Sequence, residues 1–149
     1  MFFPKALMGL ALAAVVSTGS AQIITQDVGI ERYFGSEQFK AKNGGAQLSL
    51  MAVVYYWNTN PDISFIKKAK TDATVSFYIS SDDQVSGDDR LVYQKAANGI
   101  KVIKSKIIKL KTTLTQEDKG KYLLGVVTSP ASEIPENDVT VFQIPPDAY

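Results

Sequence analysis

The chain of 149 residues contains no cysteine and no histidine. Without cysteine there is neither a disulfide scaffold nor a thiol nucleophile. Without histidine the commonest general base and the commonest zinc ligand are missing, which excludes every hydrolytic triad built on an imidazole. An excess of either charge is lacking as well, since 16 Lys and Arg stand against 15 Asp and Glu. So balanced a chain has no global field to gather nucleic acid or an anionic membrane, and an electrostatic partner must be met by a local patch. A convincing amphipathic helix is also absent, and the apolar residues recur with period two.

The first residues follow the plan of an export signal. Met1 to Lys5 supplies one positive charge, Ala6 to Val16 is apolar, and Ser17 to Ala21 is a tract of small residues. The apolar run is shorter than the roughly 20 residues that span a bilayer. The expectation is a signal peptide over residues 1–21, cleaved after Ala21. The mature chain would be periplasmic, extracellular or held at the cell surface, with no integral membrane span. Lys5 is the charged residue that cleavage removes, which leaves a neutral domain large enough to bury its own core.

From Gln47 to Trp57 one parity carries Leu48, Leu50, Ala52, Val54 and Tyr56, as a strand buried on one face requires. The other parity ends in Val53, Tyr55 and Trp57, so this strand is expected to be covered on both faces towards its end. Val75, Phe77 and Ile79 alternate with Ser76 and Tyr78. The stretch from Gly99 to Thr113 slips its register, because Lys104 and Lys106 share a parity with Ile108 and Leu110. A bulge or bend near Ile107 is expected to turn the aliphatics inward. Lys121 to Ser129 and Asp138 to Ile144 complete the strands, and Gly, Asn, Asp and Pro clusters separate them. Strands at that spacing predict an all-β sandwich of about seven antiparallel strands. The sandwich core is expected over residues 46–144, after a segment 22–45 that contributes a first strand around Phe39 to Lys42. Residues 145–149, with Pro145 and Pro146, are expected to form a loose tail.

Asp118, Gly120 and Tyr122 resemble the tyrosine corner of immunoglobulin-like sandwiches. There a tyrosine at the start of the sixth strand folds its hydroxyl back onto the backbone of the corner before it. A hairpin tyrosine at a sheet edge is the alternative, and the two stay open. A narrower resemblance rests on Ser81-Asp82-Asp83, Asp88 to Leu91, Gly120 to Leu123 and Glu136-Asn137-Asp138. In their order between strands these motifs are similar to the CARDB family of bacterial cell-adhesion-related domains, over about Ala46 to Ile144. That resemblance implies an immunoglobulin-like or fibronectin-III-like module without catalytic activity, working outside the cytoplasm.

Four carboxylates, Asp82, Asp83, Asp88 and Asp89, share a loop with Ser80, Ser81 and Ser86 and offer hard oxygens of the kind calcium takes. The competing reading is a solvated turn whose carboxylates serve nearby backbone N–H groups. A glycosidase pair needs carboxyl groups opposed across a cleft, which one hairpin turn does not provide. Lys67, Lys68, Lys70, Lys101, Lys104, Lys106, Lys109 and Lys111 read first as guards of sheet edges and second as a basic surface. Tyr55 and Trp57 are the candidate ligand-binding aromatics, with Tyr56 assigned to the core. The sequence therefore leads to an exported, non-catalytic binding or adhesion module whose partner is a surface or secreted protein. A carbohydrate-binding or enzyme-accessory sandwich is the alternative. No cofactor is expected beyond calcium in the Asp loop, and no nucleic-acid partner.

Overall fold

The computed structural model describes residues 15–16, 23–24, 26–59, 61–102, 104–129 and 138–149. The expected signal cleavage point, the part of the expected Thr128 to Ser132 turn beyond Ser129 and the Glu136-Asn137 turn lie outside them. A two-residue ladder joins β1 (Val15–Val16) to β2 (Ile23–Ile24). The remaining strands form two antiparallel sheets. In the first, β3 (Gln26–Arg32) and β4 (Gln38–Lys42) lie end to end along one edge of β5 (Gly45–Asn58). The other edge of β5 pairs with β8 (Lys106–Leu114). The second sheet contains β6 (Lys70–Ser80), β7 (Arg90–Lys101), β9 (Tyr122–Ser129) and β10 (Val139–Gln143), in the order β10-β9-β6-β7. This is the expected all-β sandwich. The strand after β6 stays beside it in the second sheet, whereas immunoglobulin constant domains send their fourth strand to the first.

The parity of β5 is what builds the interior. Ala46, Leu48, Leu50, Ala52, Val54 and Tyr56 are all buried, and from Leu48 onward they share one core with Val75, Phe77 and Ile79 of β6 and with Ile108, Leu110 and Leu114 of β8. Phe77 is 1% exposed and stands edge-on to Tyr93. Burying such a ring stabilises by about 1.5–3 kcal/mol relative to leaving it in water. β9, central in its sheet, is buried on both parities, through Leu123 and Val127 on one and Leu124 and Val126 on the other.

Three parts of the chain depart from the sequence expectations. Residues 22–45 supply two strands of the first sheet, because Val28 and Ile30 alternate into the core ahead of the β4–β5 hairpin. Asn43 and Gly44, at φ 48° and 78°, make the two-residue turn of that hairpin. The register slip near Ile107 is no bulge within one strand. The chain reverses between Lys101 and Lys106, so Ile100 ends one buried set on β7 and Ile108 begins another on β8. The tail of residues 145–149 is not loose: the Tyr149 ring packs against the core and stacks on Phe39. The tail holds because its closing tyrosine finds both an aromatic neighbour and a carbonyl acceptor. One short helix, α1 (Ile63–Lys68), links β5 to β6 across one end of the sandwich. Among the described residues no helix is long and apolar enough to cross a membrane.

Candidate functional site

Of the exposed large apolar side chains, Leu91 and Val141 lie on the second sheet, and Tyr33, Phe34, Trp57 and Ile107 gather on or beside the outer face of the first. Odd-numbered residues of β5 point there, opposite the odd residues of β3 and β8, so Glu31, Val53 and Ile107 form one row across three strands. Ile107 is 53% exposed in the middle of a lysine-rich strand. Beyond β3 the chain turns at Gly35, and this turn is tied to β5. The Tyr33 N–H donates to the Met51 carbonyl at 2.9 Å, and the Met51 N–H donates to the Ser36 hydroxyl oxygen at 3.0 Å. The tie holds Tyr33 and Phe34, 47% and 83% exposed, beside the row. Glu31, Arg32, Tyr33, Phe34 and Val53 line a shallow cleft of about 450 Å³.

Tyr55 and Trp57 lie on the same face, two and four residues along from Val53. Tyr55 is half-buried because its ring crosses Gly29 of β3: a Cβ built at Gly29 would stand 2.3 Å from the Tyr55 hydroxyl. Trp57 is 54% exposed, opposite Asp27. The structure thus brings the two candidate aromatics together and adds Tyr33, Phe34, Val53 and Ile107, which sequence reasoning did not single out. Ile107 was legible, since its parity matches the outward Lys109 and Lys111. Tyr33 and Phe34 carried no period, and only the Gly35-Ser36 turn signal marks them.

Arg32 borders the cleft. Its guanidinium carbon lies 4.5 Å from the Phe34 ring centroid and 4.9 Å from that of Phe142, and it forms an ion pair with Glu37. Burial lowers its pKa from the ordinary value. Phe142 then stacks on Phe39 at 6.2 Å and Phe39 on Tyr149 at 6.0 Å, so one row of rings closes the seam between the sheets.

The corner before β9 contains the three residues singled out for it, with a different division of labour. Gly120 adopts φ 80°, a left-handed conformation, and its N–H donates to the Ile144 carbonyl at 2.9 Å. Asp118 is fully buried, and its Oδ2 accepts from the Thr115 N–H at 2.8 Å and from Arg90 Nη2 at 2.9 Å. Burial raises its pKa, but the Thr115 and Arg90 bonds outweigh that and hold the carboxyl below its usual range. The Tyr122 hydroxyl bonds no described residue. The hydroxyl that folds onto the corner backbone is that of Tyr149, which donates to the Thr115 carbonyl at 2.6 Å.

The acidic loop is organised as two separate turns. Asp82 Oδ1 accepts from the Gln84 N–H at 2.9 Å, and Asp83 Oδ1 accepts from Gln84 Nε2 at 3.2 Å. Asp89 Oδ2 accepts from the Ser86 N–H at 2.8 Å, while the Ser86 hydroxyl bonds Asp88. The Ser86 bond lowers the pKa of Asp88. Among the described residues no three His, Cys, Asp or Glu side chains are grouped to hold a metal ion.

No family model matches the chain, and no curated sequence is similar enough to count as a relative. Among solved structures, β-glucosidase 3B from Thermotoga neapolitana in complex with glycerol aligns at 9% identity with a TM-score of 0.41. The alignment covers 94% of this chain and 19% of the β-glucosidase. The same enzyme in complex with glucose aligns at 10% identity and TM-score 0.39, over 95% and 19% of the two chains.

Proposed function

We propose that this protein is an exported, non-catalytic binding module that holds a protein partner on the outer face of its first sheet. The observation that carries the reading is the grouping of exposed Phe34, Tyr33 and Ile107 about the half-buried Val53, with Tyr55 and Trp57 further along. A lone exposed apolar residue is ordinary, whereas a grouped set rimmed by charge marks an interaction site. Its mixture of aliphatic side chains with Tyr, Phe, Trp and the half-buried Met51 matches the fully buried centre of protein interfaces. Export rests on the N-terminal sequence, and the adhesion reading on the CARDB-like motifs. The absence of histidine and cysteine from the sequence supports a non-catalytic role.

Binding of a polysaccharide is the second reading, favoured by one observation. The Tyr55 ring lies across Gly29, and Trp57 is open to solvent beside it, which offers a stacking surface. The two readings separate in one experiment, in which the purified protein is tested against envelope proteins and against insoluble polysaccharides. The protein-partner reading predicts identified protein capture lost on Phe34→Ala and Ile107→Lys. Retention on a polymer, lost on Trp57→Ala and untouched by Ile107→Lys, sustains the second.

A further inference from the structure

The two ends of the sandwich differ in charge. Lys67 and Lys68 close α1, Lys70 opens β6, Lys101 closes β7, Lys104 follows the reversal and Lys106 opens β8, so six lysines surround one end. All six are exposed. Three stand in a row: Lys70 is directly opposite Lys101 in the β6–β7 ladder, and Lys101 is directly opposite Lys104 in an isolated bridge. Like charges placed directly opposite each other oppose folding. Edge protection accounts for lysines on a strand flank but not for facing pairs at a strand end.

The ion pairs among the described residues, Arg32 with Glu37 and Arg90 with Asp118, include none of these lysines. Among the described residues the acids at this end are fewer than the lysines. Asp62 accepts from the Ser64 N–H at 2.9 Å, Asp72 accepts from the Gly99 N–H at 2.8 Å, and Asp27 is buried opposite Trp57. Asp82, Asp83, Asp88 and Asp89 follow the far end of β6, which is 11 residues and hence about 35 Å away.

We propose that the lysine end docks on a membrane surface carrying anionic lipid headgroups. The lysines are spread around an end on four elements and a connection rather than aligned along a groove, which fits a planar anionic surface better than a linear polymer. Trp57, about 10 Å beyond the Val54–Lys106 pair along β5, supplies an exposed aromatic of the kind that settles at headgroup depth.

The test is co-sedimentation of the purified protein with vesicles of phosphatidylglycerol and phosphatidylcholine in equal parts, and with phosphatidylcholine alone. The proposal predicts partition into the anionic vesicles only. That partition should fall about 100-fold in the triple variant Lys70→Gln, Lys101→Gln, Lys104→Gln, given the energy of each lysine near a charged bilayer. It should also collapse at 1 M salt, where screening shortens to about 3 Å. Lys40→Gln with Lys42→Gln, on β4, should leave it unchanged. Equal binding to both vesicle types, or an unchanged triple variant with a native unfolding midpoint, would overturn the proposal. Capture on heparin beads with no vesicle partition would overturn it too, assigning the lysines to an anionic polymer.

Discussion

The hydroxyl of Tyr149 donates to the carbonyl of Thr115 across 2.6 Å, so the chain's closing residue fastens the corner that leads into β9. The same ring stacks on Phe39 and lies under the ammonium of Lys119 at 4.9 Å. Tyr149→Phe keeps the stacking and loses the bond, and is expected to cost roughly 0.5–1.5 kcal/mol. Tyr122→Phe should cost nothing measurable. Paired thermal melts check this, and equal shifts for the two variants would return the corner to Tyr122.

Asp118 gives the corner a dependence on pH. Its native pKa is depressed, so its contribution is complete above the unfolded value of about 4 and is lost as the pH falls through the native one. Asp118→Ala is expected to cost about 1.5–3 kcal/mol at pH 7. It should also flatten the stability profile below pH 4. Urea midpoints measured between pH 7 and pH 2 compare the two profiles directly.

Gly29 and Tyr55 are coupled by space. Gly29→Ala pushes a methyl into the Tyr55 ring and is expected to destabilise by about 1–3 kcal/mol. Tyr55→Ala should relieve most of that cost, because the clash is with the ring alone. A double-mutant cycle on unfolding midpoints measures the coupling, and simple additivity would contradict the packing.

The acidic loop is predicted to be a structural turn. Asp89→Ala removes the acceptor of the Ser86 N–H and should lower stability by about 1 kcal/mol. Calcium at millimolar levels should leave the melting temperature unchanged. A bound ion would raise it with concentration by mass action.

These particulars show what a linear reading can reach. The buried face of β5 was legible because six alternating apolar residues leave one register. β8 was legible in composition but not in placement. A strand-to-strand reversal and a bulge both flip parity, and only pairing distinguishes them. β3 escaped because Gly29 breaks its apolar pattern, and that glycine is explained by a ring from the neighbouring strand. Tyr149 escaped for the same kind of reason, since a partner 34 residues away has no local signature. The exposed row combines residues from three strands and a turn, so Trp57 could be nominated from sequence while Phe34 could not.

Site-specific photo-crosslinking tests the central claim most directly. A benzoylphenylalanine replaces Phe34 on the outer face of the first sheet, and in a second protein replaces Lys95, exposed on β7 of the other sheet. Irradiated in envelope extract, the Phe34 position is expected to yield one identifiable protein adduct that disappears with Ile107→Lys, and the Lys95 position none. Equal adducts from both positions, or a Phe34 adduct indifferent to Ile107→Lys, would contradict the assignment of that face to a protein partner.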